Sequence, residues 1–180
     1  MASRSIAQQT LQGLISHILD THHAYLRREL PRLEAIVARM SANHGQERPE
    51  LFQIQQLLQD LRDDLSAHLL KEEQILFPHV ARLERSVESL EPPPAACFAS
   101  VQFPIRMMHM EHDRAQDLLR DLRSATSNYT PPTSVACECA ASFYKGLAEL
   151  ESDLLEHIRV ENEELFPRAI ALEEELLVCR

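Results

Sequence analysis

Two stretches of this chain, SAHLLKEEQILFPHVARLE (66–84) and LEHIRVENEELFPRAIALE (155–173), superpose at a constant offset of 89 in 180 residues. His68 falls on His157, Glu72 on Glu161, Leu76 on Leu165, Phe77 on Phe166, Pro78 on Pro167, Leu83 on Leu172 and Glu84 on Glu173. The same offset carries His23, Leu26, Leu30 and Leu33 onto His112, Ala115, Leu119 and Leu122. Self-similarity in one register means that each half is one supersecondary unit, which buries its apolar face against the other. In each half the first segment carries a lone histidine and the second carries H-x-x-x-E.

The chemistry of the segments predicts helices. Only 3 residues are Gly, there is no Trp, and good helix formers dominate. The apolar stripe Ile15, Leu19, Leu26, Leu30, Leu33, Val37 predicts a first helix over about 5–42. Pro31 inside it lacks a backbone donor and predicts a kink or a break. Residues 42–49, ANHGQERP, form a stop signal. A second helix follows over about 50–85. Three consecutive prolines in 86–100 mark a crossover linker. A third helix spans about 104–125, TSNYTPPTS (126–134) is a turn, and a fourth helix reaches about 176. The expectation is an all-α, antiparallel up-down-up-down four-helix bundle formed as an internally duplicated helical hairpin. It is one domain over 1–180, with hairpins at about 5–85 and 101–176.

Composition excludes several classes. The formal net charge is -10 and the pI about 5.3, with 18 basic residues scattered among acids. That disfavours nucleic acid, whose phosphates need clustered Lys and Arg. No run of about 18 apolar residues is present, so no membrane partner is expected. The N-terminus has no apolar signal core, which points to a cytoplasmic location. Cys97, Cys137, Cys139 and Cys179 have no CxxC spacing, and a reducing compartment predicts free thiols.

On a helix, residues i and i+4 share a face, so H-x-x-x-E aims an imidazole and a carboxylate the same way, about 6 Å apart along the axis. One such pair is commonplace as a surface couple. Two pairs in strict register, each preceded by a matching histidine, point instead to convergence of His23, His68, Glu72, His112, His157 and Glu161. The helix lengths bring His23 beside His68 and Glu72. Buried carboxylates are costly unless paired or bound to metal. Two Glu as bridges and four imidazoles as terminal ligands suit a dinuclear site with open positions. The donor set favours iron or manganese over structural zinc. No E-x-x-H occurs in the chain, which argues against ferritin-type sites. Of the adjacent His22 and His23, only one is expected to point inward, and the repeat selects His23. His109, one turn before His112, is either an extra ligand or a hydrogen-bond donor to one. His17 and His79 have no repeat partner and read as ordinary. His44 joins the site only if the chain folds back at Pro31. Glu111 and Asp64, near ligands in sequence, read as solvated surface.

HLLKEEQILFP and HIRVENEELFP resemble the hemerythrin-like (HHE cation-binding) superfamily. With HHAYLRRELPRL, MEHDRA and TPP they are similar to its iron–sulfur cluster repair branch over about 11–174. The resemblance implies a four-helix bundle around two non-haem iron ions, oxo- or hydroxo-bridged, with manganese or zinc as substitutes. It implies the same six ligands. It further implies a stress-response protein whose partners are damaged iron–sulfur proteins or the diatomic ligands NO and O2. The role would be iron donation, or NO binding and reduction as a redox activity at the site. The alternative is a module that binds or senses O2, NO or iron without turnover. Members of that branch begin with a small Cys-Cys domain, and no such motif precedes Ala7 here. Oxygen carriers have H-x-x-x-H on the third helix, where this chain has H-x-x-H.

Overall fold

The computed structural model describes residues 9–89, 98–132 and 138–178. The three linker prolines, Cys97, Cys137 and Cys179 lie outside the described residues. Four long helical rods account for nearly all of the rest. The first comprises α1 (Leu11–Ile18), a π-helical turn (Leu19–His23) and α2 (Ala24–His44). The second comprises α3 (Glu50–Lys71), a π turn (Glu72–Leu76) and α4 (Phe77–Ser89). The third is α5 (Gln102–Ala125), and the fourth joins α6 (Glu138–Val160), a π turn (Glu161–Leu165) and α7 (Phe166–Val178). They form the expected four-helix bundle, in which α2 packs on α3 and α6, and α3 packs on α5.

Two apolar clusters fill the interior. One is built around Leu26, Leu33, Leu58, Leu61, Leu119 and Phe143. The other is built around Leu14, Ile18, Leu76, Val80, Leu83 and Phe166. Burial of each such side chain stabilises by about 1.5–3 kcal/mol. Gly146 permits the approach of α6 to α2, because a Cβ there would lie 2.7 Å from Leu33 Cδ2. Ser127, Asn128 and Tyr129 turn the chain out of α5 in the left-handed region, with φ of 49°, 56° and 57°.

The repeated Glu84 and Glu173 have equivalent structural jobs. A helix start leaves backbone N–H groups without intrahelical acceptors. Leu11 N and Gln12 N donate to Glu84 Oε1 and Oε2 at 2.6 and 2.9 Å. Val101 N donates to both oxygens of Glu173, at 2.9 and 3.1 Å, and Ser100 Oγ donates to Oε2 at 2.6 Å. Each hairpin is thus tied at its open end by a carboxylate from its own second rod.

The break admitted at Pro31 and the expectation of free thiols throughout are corrected. α2 continues through Pro31 without a break. Pro31 is exposed, and the carbonyl it leaves unpaired belongs to Arg27, also exposed, where water can satisfy it. Cys139 is disulfide-bonded, not a free thiol. A compartment sets redox conditions only; which sulfurs meet in space is decided by the fold.

Candidate metal centre

Between the two apolar clusters lies a polar one. His23, Glu72, His157 and Glu161 each offer a ligand atom within 4.8 Å of the others, and so do His68, Glu72, His112 and Glu161. All six side chains predicted from the repeat are brought together, and none is more than 2% exposed. The grouping crosses the hairpins. His23 shares Glu72 with His68, but its imidazole partner within a group is His157, so each group takes one histidine from each hairpin.

Local helix geometry positions these side chains. In the second and fourth rods a π turn opens at Glu72 and Glu161, the carboxylates that belong to both groups. Single π turns inside α-helices widen the coil locally and commonly mark functional sites. In the first rod the π turn ends on His22 and His23 and brings both inward, at 4% and 0% exposure. The expectation that only one could be buried assumed regular α geometry.

The two carboxylates reach across the centre. Glu72 Oε2 lies 3.3 Å from His23 Nε2, and Glu72 Oε1 lies 3.3 Å from His68 Nε2. Glu161 Oε1 and Oε2 lie 3.1 Å from His157 Nε2 and His112 Nε2. His68 Nε2 and His112 Nε2 face each other at 3.2 Å. Among the described residues none of the four carboxylate oxygens has a hydrogen-bond partner.

The outward nitrogens explain why. His23 Nδ1 donates to Glu73 Oε1 at 2.7 Å, and Glu73 is anchored by Arg27 at 2.7 Å. His68 Nδ1 donates to Glu111 Oε2 at 3.0 Å, and Glu111 is paired with Lys71. His112 Nδ1 lies 3.0 Å from Asn162 Oδ1. A proton held on Nδ1 by an acceptor leaves a lone pair on Nε2. The interior thus confronts imidazole lone pairs with carboxylate lone pairs, an arrangement that needs a cation between them. Orientation of ligating histidines by outer hydrogen bonds is a regular feature of metal sites. Phe77 and Phe166, another repeated pair, flank His23 and His112 with ring centroids at 5.7 and 6.0 Å.

The electrostatics agree. Burial alone pushes His68 down, but the Glu72 carboxylate 3.3 Å away and the charge of Glu161 outweigh it and raise it to about 9. His23 is raised by the same contest of burial against Glu72 and Glu73. Burial would raise the Glu161 carboxyl, yet the charge of His157 and the His112 imidazole 3.1 Å away hold it well below the usual carboxylate range. The cluster draws positive charge to itself.

A cavity of about 180 Å³ opens beside His68 and His112, bordered by Asp64, Lys71, Glu111 and Arg114. Glu111 and Asp64, expected to be solvated surface, are ion-paired with Lys71 and Arg114, and Glu111 also holds His68. Spacing along one helix could not show partners on another. His109 is exposed and packs against Phe166 outside the cluster. His44 stays at the far end of α2. His17 meets Thr21 Oγ1 at 3.3 Å, and His79 is buried near Glu173 at 3.9 Å. The outer partners Glu73 and Asn162 were missed, although they are themselves related by the repeat, at the residue following each carboxylate.

Among the described residues no helix is long and apolar enough to cross a membrane. A family model described as the hemerythrin HHE cation binding domain matches residues 14–169. The iron-sulfur cluster repair protein YtfE of Escherichia coli O157:H7 is 35% identical over 161 residues, covering 89% of this chain and 67% of that protein. The YtfE proteins of Escherichia coli O1:K1 / APEC and Escherichia fergusonii match to the same extent. A buried four-histidine, two-glutamate cluster in a four-helix bundle, with these matches across most of its length, places the chain in the hemerythrin HHE cation-binding family.

Proposed function

We propose that the chain is a cytoplasmic di-iron protein of the nitrosative and oxidative stress response that helps restore damaged iron–sulfur clusters. The observation that carries the metal centre is the confrontation of inward-facing imidazole and carboxylate acceptors at 3.1–3.3 Å, with no donor between them. His23 and His157 would hold one ion and His68 and His112 the other, with Glu72 and Glu161 within reach of both. The likeness to the YtfE proteins supports the repair role, which takes damaged iron–sulfur proteins, NO and O2 as partners. Bound iron would supply one-electron redox chemistry and affinity for small diatomic ligands.

The residues of the chain do the rest. Glu73 and Glu111 keep the protons of His23 and His68 on Nδ1 and so keep Nε2 available. Arg27 and Lys71 hold those carboxylates in place. Phe77 and Phe166, buried against His23 and His112, shield those imidazoles from bulk water, which strengthens the charge interactions there. The cavity between α3 and α5 has room for a diatomic molecule beside His68 and His112.

The test is metal content of protein made in iron-replete cells, beside Glu72→Leu and Glu161→Leu. About two irons per chain, as two-metal sites require, with loss in either variant, is the expected result. Absence of iron, or iron indifferent to both substitutions, would overturn the reading. Reactivation of a cluster-damaged enzyme by the loaded protein then tests repair. Reversible NO or O2 binding without reactivation would establish a sensor instead.

A further inference from the structure

The 89-residue register pairs the two sides of the cluster position by position. On the side between α3 and α5, Glu111 holds His68 and pairs with Lys71, Asp64 pairs with Arg114, and the cavity opens. The counterparts of Glu111, Lys71, Asp64 and Arg114 are His22, Val160, Asp153 and Tyr25, on α2, α6 and the adjoining π turn. The charge arrangement is not reproduced. Val160 is fully buried and His22 is 4% exposed. The His22 ring lies parallel to His157, 5° between planes and 5.4 Å between centroids. Its Nδ1 is 3.0 Å from Asp153 Oδ1, which fixes the ring. His157 Nδ1 is the one outward ligand nitrogen without a hydrogen-bond partner among the described residues. The residue that the repeat assigns to it stacks instead of bonding.

The cause is the π turn at Leu19–His23, which brings position 22 inward. The equivalent stretch of α5 is regular helix, and Glu111 stays at the rim with its side chain 24% exposed.

Resting on the metal reading above, we propose that His22 is a positioning residue that covers one metal position. The ion between His23 and His157 is closed to water and incoming ligands and exchanges slowly. The ion between His68 and His112 lies beside the cavity and exchanges fast. An ion can leave only as solvent replaces protein ligands. The parallel ring locked by Asp153 blocks that replacement on one side. On the other, water needs only to part a rim ion pair, which is held weakly.

The test loads the full chain with iron(II), mixes it with excess bipyridine and follows release by absorbance. The expected record has two phases of equal amplitude, with rates separated about tenfold or more, the scale of outer-partner effects at metal sites. His22→Ala accelerates the slow phase about tenfold and leaves the fast phase alone. His22→Phe, which keeps a flat ring over His157, restores most of the slow phase. A crystal of half-depleted protein retains its ion between His23 and His157. A single phase, an ion retained between His68 and His112, or a slow phase unmoved by His22→Ala overturns the proposal. So does acceleration of both phases together, the signature of a loosened bundle. Protein that takes up no iron would instead sink the metal-centre reading beneath it.

Discussion

The first and second hairpins agree at the centre and diverge outward. The innermost residues are the same in both: His23 and His112, His68 and His157, Glu72 and Glu161. One layer out, the flanking rings Phe77 and Phe166 match, but the acceptors on Nδ1 have become Glu73 and Asn162. A further step out, Glu111 and Lys71 stand against His22 and Val160. At the bundle end the halves agree again, through Glu84 and Glu173 at the helix starts. Among the polar positions, strict identity falls where a specific donor or acceptor has no substitute: the inward-facing imidazoles and carboxylates, and the caps. Between them, a position needs only to fill space or hold one proton, and amide, carboxylate and imidazole all do so in different ways.

The comparison can be broken most severely at the carboxylates. Because each reaches both groups, Glu72→Leu and Glu161→Leu should be equivalent, each losing most of both ions by metal analysis. A variant that retained one full ion would show that its carboxylate serves one position only. Glu73→Ala and Asn162→Ala probe the next layer. Each should weaken metal binding by about 10–100-fold in a competition titration. Glu73→Ala should be the worse, because a charge-assisted hydrogen bond is lost and Arg27 is left unpaired.

Protein stripped of metal offers an electrostatic version. His68 is raised from 6.5 to about 9 in the folded chain. A folded value above the unfolded one means that folding binds protons. The stabilisation is complete below 6.5 and is lost as pH rises through about 9. Urea midpoints for metal-free protein should therefore fall between pH 6.5 and 9, by at most a few kcal/mol equivalent. A midpoint that rises over that window would refute the proton-binding picture of the cluster. The smallest effects are expected at the caps. Glu84→Ala and Glu173→Ala should each cost about 1–2 kcal/mol in urea unfolding. Glu173→Ala should be the larger, since it leaves the buried Val101 N–H without an acceptor.

Much of this was legible without coordinates. Helical periodicity, the stop signal before Glu50 and the repeat were enough for four helices and six convergent residues, because i,i+4 geometry is a property of any regular helix. What failed was whatever depended on departure from regularity or on a neighbouring rod. The burial of His22 comes from a π turn, and LDTHH has no composition that announces one. The hydrogen bond from His68 to Glu111 joins α3 to α5, and the pairing of His23 with His157 joins the first rod to the fourth. Pro31 does not break the helix, because its cost depends on which side of the helix meets water.

The sequence by itself determined the duplicated hairpin and the identity of the six converging side chains, since both are encoded in local spacing and in a register that needs no knowledge of packing. Tertiary structure alone decided which histidines face which carboxylate oxygens, which nitrogens hold protons, and that one side of the cluster is open and the other covered. Those outcomes arise where helices meet, from distances of about 3 Å between residues far apart in the chain, the range over which hydrogen bonds form or fail.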